Sequence, residues 1–150
     1  MKRYLLIISC SNSKNHQEGL IPAIRRYTGA WYGVINKLKR EGKFPSNVDV
    51  LIISAKYGLI RLNDLIEDYN WKMDVSRAKE LNESVIEKLK VILIKTDYES
   101  VLINMGRDYM EAMQGFEGVM LPLHKAFVLK GRIGYRKKEM RNWLLSIWET

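Results

Sequence analysis

Four short apolar runs punctuate the chain, Arg3 to Ser9, Val48 to Ser54, Val101 to Asn104 and Val119 to Leu121, and none alternates with polar positions. Leu, Ile and Val in unbroken succession are the pattern of a strand buried on both faces, as in a parallel sheet. Between the runs the spacing turns helical. Trp31, Val34, Ile35 and Leu38 fall at i, i+3, i+4 and i+7, with Thr28 placed as N-cap and Gly42 as the stop. Leu81, Val85, Leu89 and Ile92 stripe a helix over residues 74–95, Tyr109, Met113 and Phe116 face a short one, and Met140, Trp143, Leu144 and Ile147 a C-terminal one. Residues 59–73 show no clean period and mix Asp64, Glu67 and Asp68 with Tyr69 and Trp71, which predicts a long loop or lid. The alternation of strand and helix predicts an α/β fold: a mostly parallel sheet of about four or five strands, helices on both faces, three layers, one domain over 1–150.

Each run ends at a small or polar residue with a cation close behind. In a parallel sheet these ends share the carboxyl edge, where open α/β sheets bind ligands. Ser9, Cys10, Lys14, Ser54, Lys56, Asn104, Arg107, His124 and Lys125 are therefore expected around one crevice, and its ligand is expected to be anionic. The Ser9–Lys14 segment, with the Ser11 and Ser13 hydroxyls and the backbone N–H groups of a turn, has the makings of an anion nest. It is not a phosphate loop of the Gly-Lys-Ser/Thr kind, and no GxGxxG occurs. A second turn, Ser54 to Gly58, needs positive φ at Gly58 and brings Lys56 to the same edge. Tyr57, Tyr69 and Trp71 offer flat faces to a base. The candidate catalytic residues are Cys10, Lys14 and Lys56: a thiolate beside cations is a nucleophile, whereas a thiol at a strand end otherwise serves as a small apolar filler.

Charge sharpens the picture. The net +8 divides as +7 over residues 1–43, −4 over 44–124, +6 over 125–141 and −1 over 142–150, a distribution that suits a polyanionic partner. The glycine-punctuated segment Lys130-Gly131-Arg132 leads into a helix start bearing Arg136, Lys137, Lys138 and Arg141, and backbone N–H groups at a helix start favour phosphate. Nucleic acid, DNA or RNA, or a nucleotide is the expected partner. The one cysteine cannot form an internal disulfide, which fits a reducing cytoplasm, and no apolar stretch is long enough to span a bilayer. His16 and His124 lack ligand spacing to each other or to Cys10, so no metal is expected, and no cofactor is called for.

The order of motifs, SCSxSK, then Pro22, Ala23, Tyr27, Thr28 and Gly29 as PAxxxYTG, then ISAKYGLI from Ile53 to Ile60, then Ile66, Tyr69 and Met73, then a late GxxIGYR-like turn, resembles the YaaA-like family of small bacterial, archaeal and phage proteins. The Cys-Ser-x-x-Lys segment is more distantly similar to the core domain of archaeosine synthase. The resemblance implies an α/β fold with a positive cleft and a nucleic-acid or nucleobase target, of deazaguanine type where a base is modified. Its implied site residues are Cys10, Ser11, Lys14, Tyr27, Ser54, Lys56, Tyr57 and Tyr69. Two functions stay open: a nucleic-acid-directed protein that holds a nucleobase or nucleotide in the crevice, with or without modifying the base, and a non-catalytic module for a small phosphorylated ligand.

Overall fold

A computed structural model describes residues 1–120 and 125–150. In chain order the elements are β1 (Arg3–Ser9), β2 (Ile21–Pro22), α1 (Ala23–Arg26), α2 (Ala30–Arg40), β3 (Val48–Ser54), β4 (Gly58–Arg61), β5 (Leu65–Ile66) and α3 (Val75–Lys95). There follow β6 (Tyr98–Asn104), α4 (Arg107–Met110), a 3-10 turn (Glu111–Met113), α5 (Phe116–Met120), β7 (Lys125–Val128) and α6 (Ile133–Trp148).

The fold is α/β. Five strands form one sheet in the order β4-β3-β1-β6-β7, in which every pairing is parallel except β3 with β4. Leu5 to Ile8 of β1 and Leu51 to Ile53 of β3 are fully buried, as their unbroken apolar runs require. α2 and α6 pack on one another against one face, while α3, α4, α5 and the 3-10 turn pack together on the other. α2 buries Trp31, Tyr32, Val34, Ile35 and Leu38. It ends in a Schellman arrangement, with Lys43 N–H donating to the Leu38 carbonyl at 2.8 Å and Gly42 N–H to that of Lys39 at 3.1 Å; Gly42 takes φ +71°. α3 is started by the Asp74 carboxylate, which accepts from Arg77 N–H at 2.8 Å. No helix among the described residues is long and apolar enough to cross a membrane.

Four expectations change. Thr28 is not a cap: the N-cap of α2 is Gly29, and Thr28 N–H donates instead to the Ser13 carbonyl. The region expected to be a lid without regular structure contains β4, which pairs with β3, and β5, which pairs with β2. Val119 and Met120 end a helix and are not strand, and the last strand is β7. Lys125 therefore begins a strand rather than following one. It pairs with Ser100, near the amino end of β6, and so lies toward the edge of the sheet opposite the crevice. Leu121 and His124 lie outside the described residues.

Candidate functional site

From β1 the chain crosses to β3 on one side, and from β3 it returns past β1 to β6 on the other. The reversal places a topological switch point between the carboxyl ends of β1 and β6, where this sheet class opens a crevice. Cys10 follows β1, its N–H held by the Ile53 carbonyl at 3.0 Å. Tyr109 stands in α4 just beyond β6. Cys10 Sγ and Tyr109 Oη meet across the switch point at 3.2 Å. Burial, and after it the charge of Cys10, pushes the Tyr109 hydroxyl well above the usual tyrosine range, and the same two causes in the same order act on Tyr27, Tyr32 and Tyr69. The thiol thus faces phenols that keep their protons at ordinary pH.

The end of β3 supplies a second polar knot. Tyr27 Oη donates to Ser54 Oγ at 3.0 Å, Ser54 Oγ and Tyr69 Oη are 3.1 Å apart, and Tyr69 Oη and Tyr27 Oη 2.7 Å. With Tyr27 donating to Ser54, the ring closes when Ser54 donates to Tyr69 and Tyr69 to Tyr27. Ser54 Oγ also accepts Tyr57 N–H at 3.1 Å, which fills its capacity of two acceptances and one donation. This ring fastens residue 69 to the sheet edge.

Cations flank the knot. Lys14 Nζ lies 4.5 Å from the centre of the Tyr69 ring, and Lys56 Nζ lies 5.3 Å from that of Tyr57 and 3.7 Å from Glu67. Beyond β6 and β7, a cavity of about 480 Å³ has an apolar wall of Met105, Met110, Val128 and Leu129 and carries the cations Arg107, Lys130 and Arg136, with Gly106 and Gly131 beside them. Arg136 is half-buried. Its Nε donates to the Gly131 carbonyl at 3.0 Å and Nη1 to Asn104 Oδ1 at 3.4 Å, and its guanidinium lies 5.2 Å from the Trp31 ring centre. Burial lowers its pKa from the ordinary arginine value, the direction expected of a cation short of compensating charge. Among the described residues no carboxylate makes an ion pair with Lys14, Arg107, Lys130 or Arg136.

A family of unknown function (DUF6884) matches residues 5–138, nine-tenths of the chain. The chain belongs to this family. No curated protein and no solved structure matches it. The DUF6884 span takes in β1 through the first turns of α6, and with them Cys10, Ser54, Tyr109 and Arg136.

In this DUF6884 chain the residues singled out by sequence divide into groups. Cys10, Lys14, Tyr27, Ser54, Lys56, Tyr57 and Tyr69 stand at the carboxyl ends of β1 and β3 or in the segments packed there; Asn104 is the fully buried last residue of β6, and Arg107, Lys130 and Arg136 stand beyond β6 and β7. Ser9 is turned into the scaffold: its hydroxyl accepts from Trp31 Nε1 at 3.2 Å and its carbonyl from Tyr32 Oη at 2.8 Å. Ser11 Oγ donates to the Ser13 carbonyl at 2.6 Å and accepts Gly29 N–H at 3.1 Å, closing the turn onto the start of α2. One face of Tyr69 carries Lys14, and Arg77 lies 4.0 Å from the centre of the Trp71 ring. Arg132 is the exposed N-cap of α6, and Lys137, Lys138 and Arg141 line a separate groove against α2.

Two contributors escaped the sequence reading. In sequence Tyr109 reads as one of the apolar positions of a short helix, although its place just after a strand end is a signal. Arg26 is fully buried and donates to the carbonyls of Asn15, Gln17 and Gly19 at 2.7, 2.8 and 2.7 Å, and to that of Ile66 at 3.1 Å. It binds the loop after β1 to the body of the protein. Nothing in the Arg25-Arg26 pair shows which arginine turns inward. Among the described residues no group of three or more His, Cys, Asp or Glu side chains comes together.

Proposed function

We propose that this protein holds a nucleobase or nucleotide of a nucleic acid in the crevice at the carboxyl edge of its sheet. The phosphate sits against Arg107, Lys130 and Arg136, and the base lies toward Cys10 and Tyr109. The observation that carries the reading is the cavity of about 480 Å³ that holds three cations with no carboxylate ion pair among the described residues, and whose lining residues Arg107 and Met110 flank Tyr109, the residue that meets the Cys10 thiol, in sequence. Its volume falls in the range of small-ligand sites, about 300–1,000 Å³. Uncompensated cations facing one another destabilise the free protein and are offset when an anion binds. The basic ends of the chain and the motif order that resembles YaaA-like proteins support a nucleic-acid target over a free metabolite. Where the base is modified, Cys10 is the nucleophile and Tyr109 the nearest proton donor.

One observation favours the second reading, a module for a small phosphorylated ligand. The Tyr69 and Trp71 rings expected to stack on a base already carry Lys14 and Arg77, so phosphate rather than the base is the main anchor. Titration calorimetry separates the readings. A nucleoside monophosphate is expected to bind, Arg107→Ala with Arg136→Ala to weaken it at least tenfold, and the parent nucleoside to bind far more weakly. Equal affinity for inorganic phosphate and the nucleotide would favour the second reading, and equal affinity of wild type and variant would refute both.

A further inference from the structure

We infer that the groove between α2 and α6 is a track for the sugar-phosphate backbone of a single nucleic-acid strand whose nucleotide occupies the crevice; the inference rests on the crevice reading and extends it. The groove encloses about 420 Å³, and its walls are Lys37 and Arg40 of α2 and Lys137, Lys138 and Arg141 of α6. On α2 the lining residues Gly33, Val34, Lys37 and Arg40 stand at i, i+1, i+4 and i+7, with the aliphatic Val34 buried at the groove floor, and on α6 Gly134, Lys137, Lys138 and Arg141 at i, i+3, i+4 and i+7. Two packed helices ordinarily set apolar residues or opposite charges at such positions. Here like charges face each other. The one carboxylate paired with them among the described residues is Glu41, 3.6 Å from Arg141, and Arg141 Nη1 is buried without a hydrogen-bond partner.

Shape and chemistry select the occupant. No aromatic side chain lines the groove, so it offers a base nothing to stack on and addresses the backbone alone. Gly33 and Gly134 leave its upper end open, since a Cβ at either position would meet nothing within 4 Å. From residue 134 to 141 the helix rises about 10 Å at 1.5 Å per residue, room for about three phosphates at ~3.4 Å per nucleotide. α6 joins the two sites: Arg136 lines the crevice cavity and the next residue, Lys137, lines the groove. A strand leaving the crevice passes over the first turns of α6 directly into the groove.

The test compares a fluorescent 12-nucleotide oligothymidylate, by anisotropy across a salt series, with thymidine monophosphate by calorimetry. One variant combines Lys37→Ala, Arg40→Ala, Lys137→Ala and Lys138→Ala, all exposed helical positions where alanine preserves the helix. A second, Gly33→Leu with Gly134→Leu, plugs the groove without altering charge. Both are expected to lose at least tenfold in oligonucleotide affinity at 50 mM salt and to keep wild-type affinity for the mononucleotide. The alanine variant should also flatten the log–log salt slope by about 2, at ~0.7 per phosphate on a single strand. Wild-type oligonucleotide affinity in either variant, or an oligonucleotide bound by wild type no more tightly than the mononucleotide, would overturn the track while leaving the crevice reading in place. Groove-dependent oligonucleotide binding without mononucleotide binding would sustain the track and remove the crevice reading. Displacement by polyglutamate of matched charge as readily as by oligonucleotide, or tighter binding of duplex than of single strand, would also overturn it.

Discussion

Replacing Arg26 with methionine exchanges a buried guanidinium for an apolar side chain of similar length. The wild-type group donates to four carbonyls, from Asn15, Gln17, Gly19 and Ile66, and among the described residues no carboxylate forms an ion pair with it, Asp68 feeling its charge only at longer range. Hydrogen bonds from a charged group contribute about 1.5–3 kcal/mol each, a gross figure of roughly 6–12 kcal/mol, most of which offsets the cost of burying the guanidinium. Of the carbonyls left behind, those of the exposed Gln17 and Gly19 and the half-buried Asn15 can turn to water, while that of Ile66 is bonded inside the protein. The net loss expected is therefore about 3 kcal/mol, near the lower end for breaking a buried charged arrangement. At roughly 2–4 °C per kcal/mol for a chain of this length, the melting temperature should fall by about 6–12 °C. Urea unfolding followed by circular dichroism and by tryptophan fluorescence measures the loss directly. Lysine at 26 should recover less than half of it, because one ammonium with three donors cannot reach four carbonyls. The difference between wild type and Arg26→Met should survive 1 M NaCl, since the bonds are buried and involve no ion pair. A loss under 1 kcal/mol, or one that salt removes, would refute the reasoning.

Tyr69→Phe opens the hydroxyl ring and leaves Ser54 and Tyr27 each short of a partner, so stability should fall by about 1–3 kcal/mol in a urea titration; an unchanged midpoint would show that the ring contributes nothing. Gly29→Ala places a Cβ 2.7 Å from that of Ser11, forcing the turn off the start of α2, and the expected result is faster proteolysis within residues 10–19 than in wild type. Burial raises the Asp49 pKa, but hydrogen bonds from Arg3 and Tyr98 outweigh it and hold the carboxyl below its ordinary value. Its contribution is accordingly full above the unfolded pKa, about 3.9, and is lost as pH falls through the lower folded value. Asp49→Asn should flatten the decline of stability below about pH 4, and parallel acid limbs for the two proteins would contradict this. Alkylation of Cys10 by a small reagent should slow in saturating mononucleotide, whereas equal rates would remove the thiol from the ligand's surroundings.

The parts of this fold that were legible in sequence are those where burial is complete. β1, β3 and the carboxyl half of β6 are covered on both faces, so their apolar runs announce them, and Gly42 and Gly58 stand where positive φ is needed. β7 goes unread although Ala126 to Leu129 is an unbroken apolar run, because as an edge strand with Lys125 and Phe127 exposed it lacks the fully buried pattern of β1 and β3. The run Val119 to Leu121 drew attention instead, although Met120 is buried as part of a helix. β4 and β5 are four and two residues long, too short for a period to show within the charged residues around them. In the candidate site, Cys10 and Arg107 followed from strand ends alone, whereas Tyr109 did not. Side-chain direction did not: Ser9 turns to Trp31, Lys56 to Glu67 and Arg26 inward, each set by partners distant in sequence.

Cys10 and Tyr109 stand 99 positions apart. Strand β1 is made first yet lies in the middle of the sheet, between β3 and a strand that ends at Asn104. The entropy of closing so long a loop grows only slowly with its length, by about 0.6 kcal/mol per doubling, so the separation costs little at equilibrium. Its effect is on timing, because contacts this distant in sequence form late. A chain emerging from the ribosome has no crevice until α4 has followed β6 out, and until then the Cys10 thiol waits at the end of a strand without Tyr109 beside it.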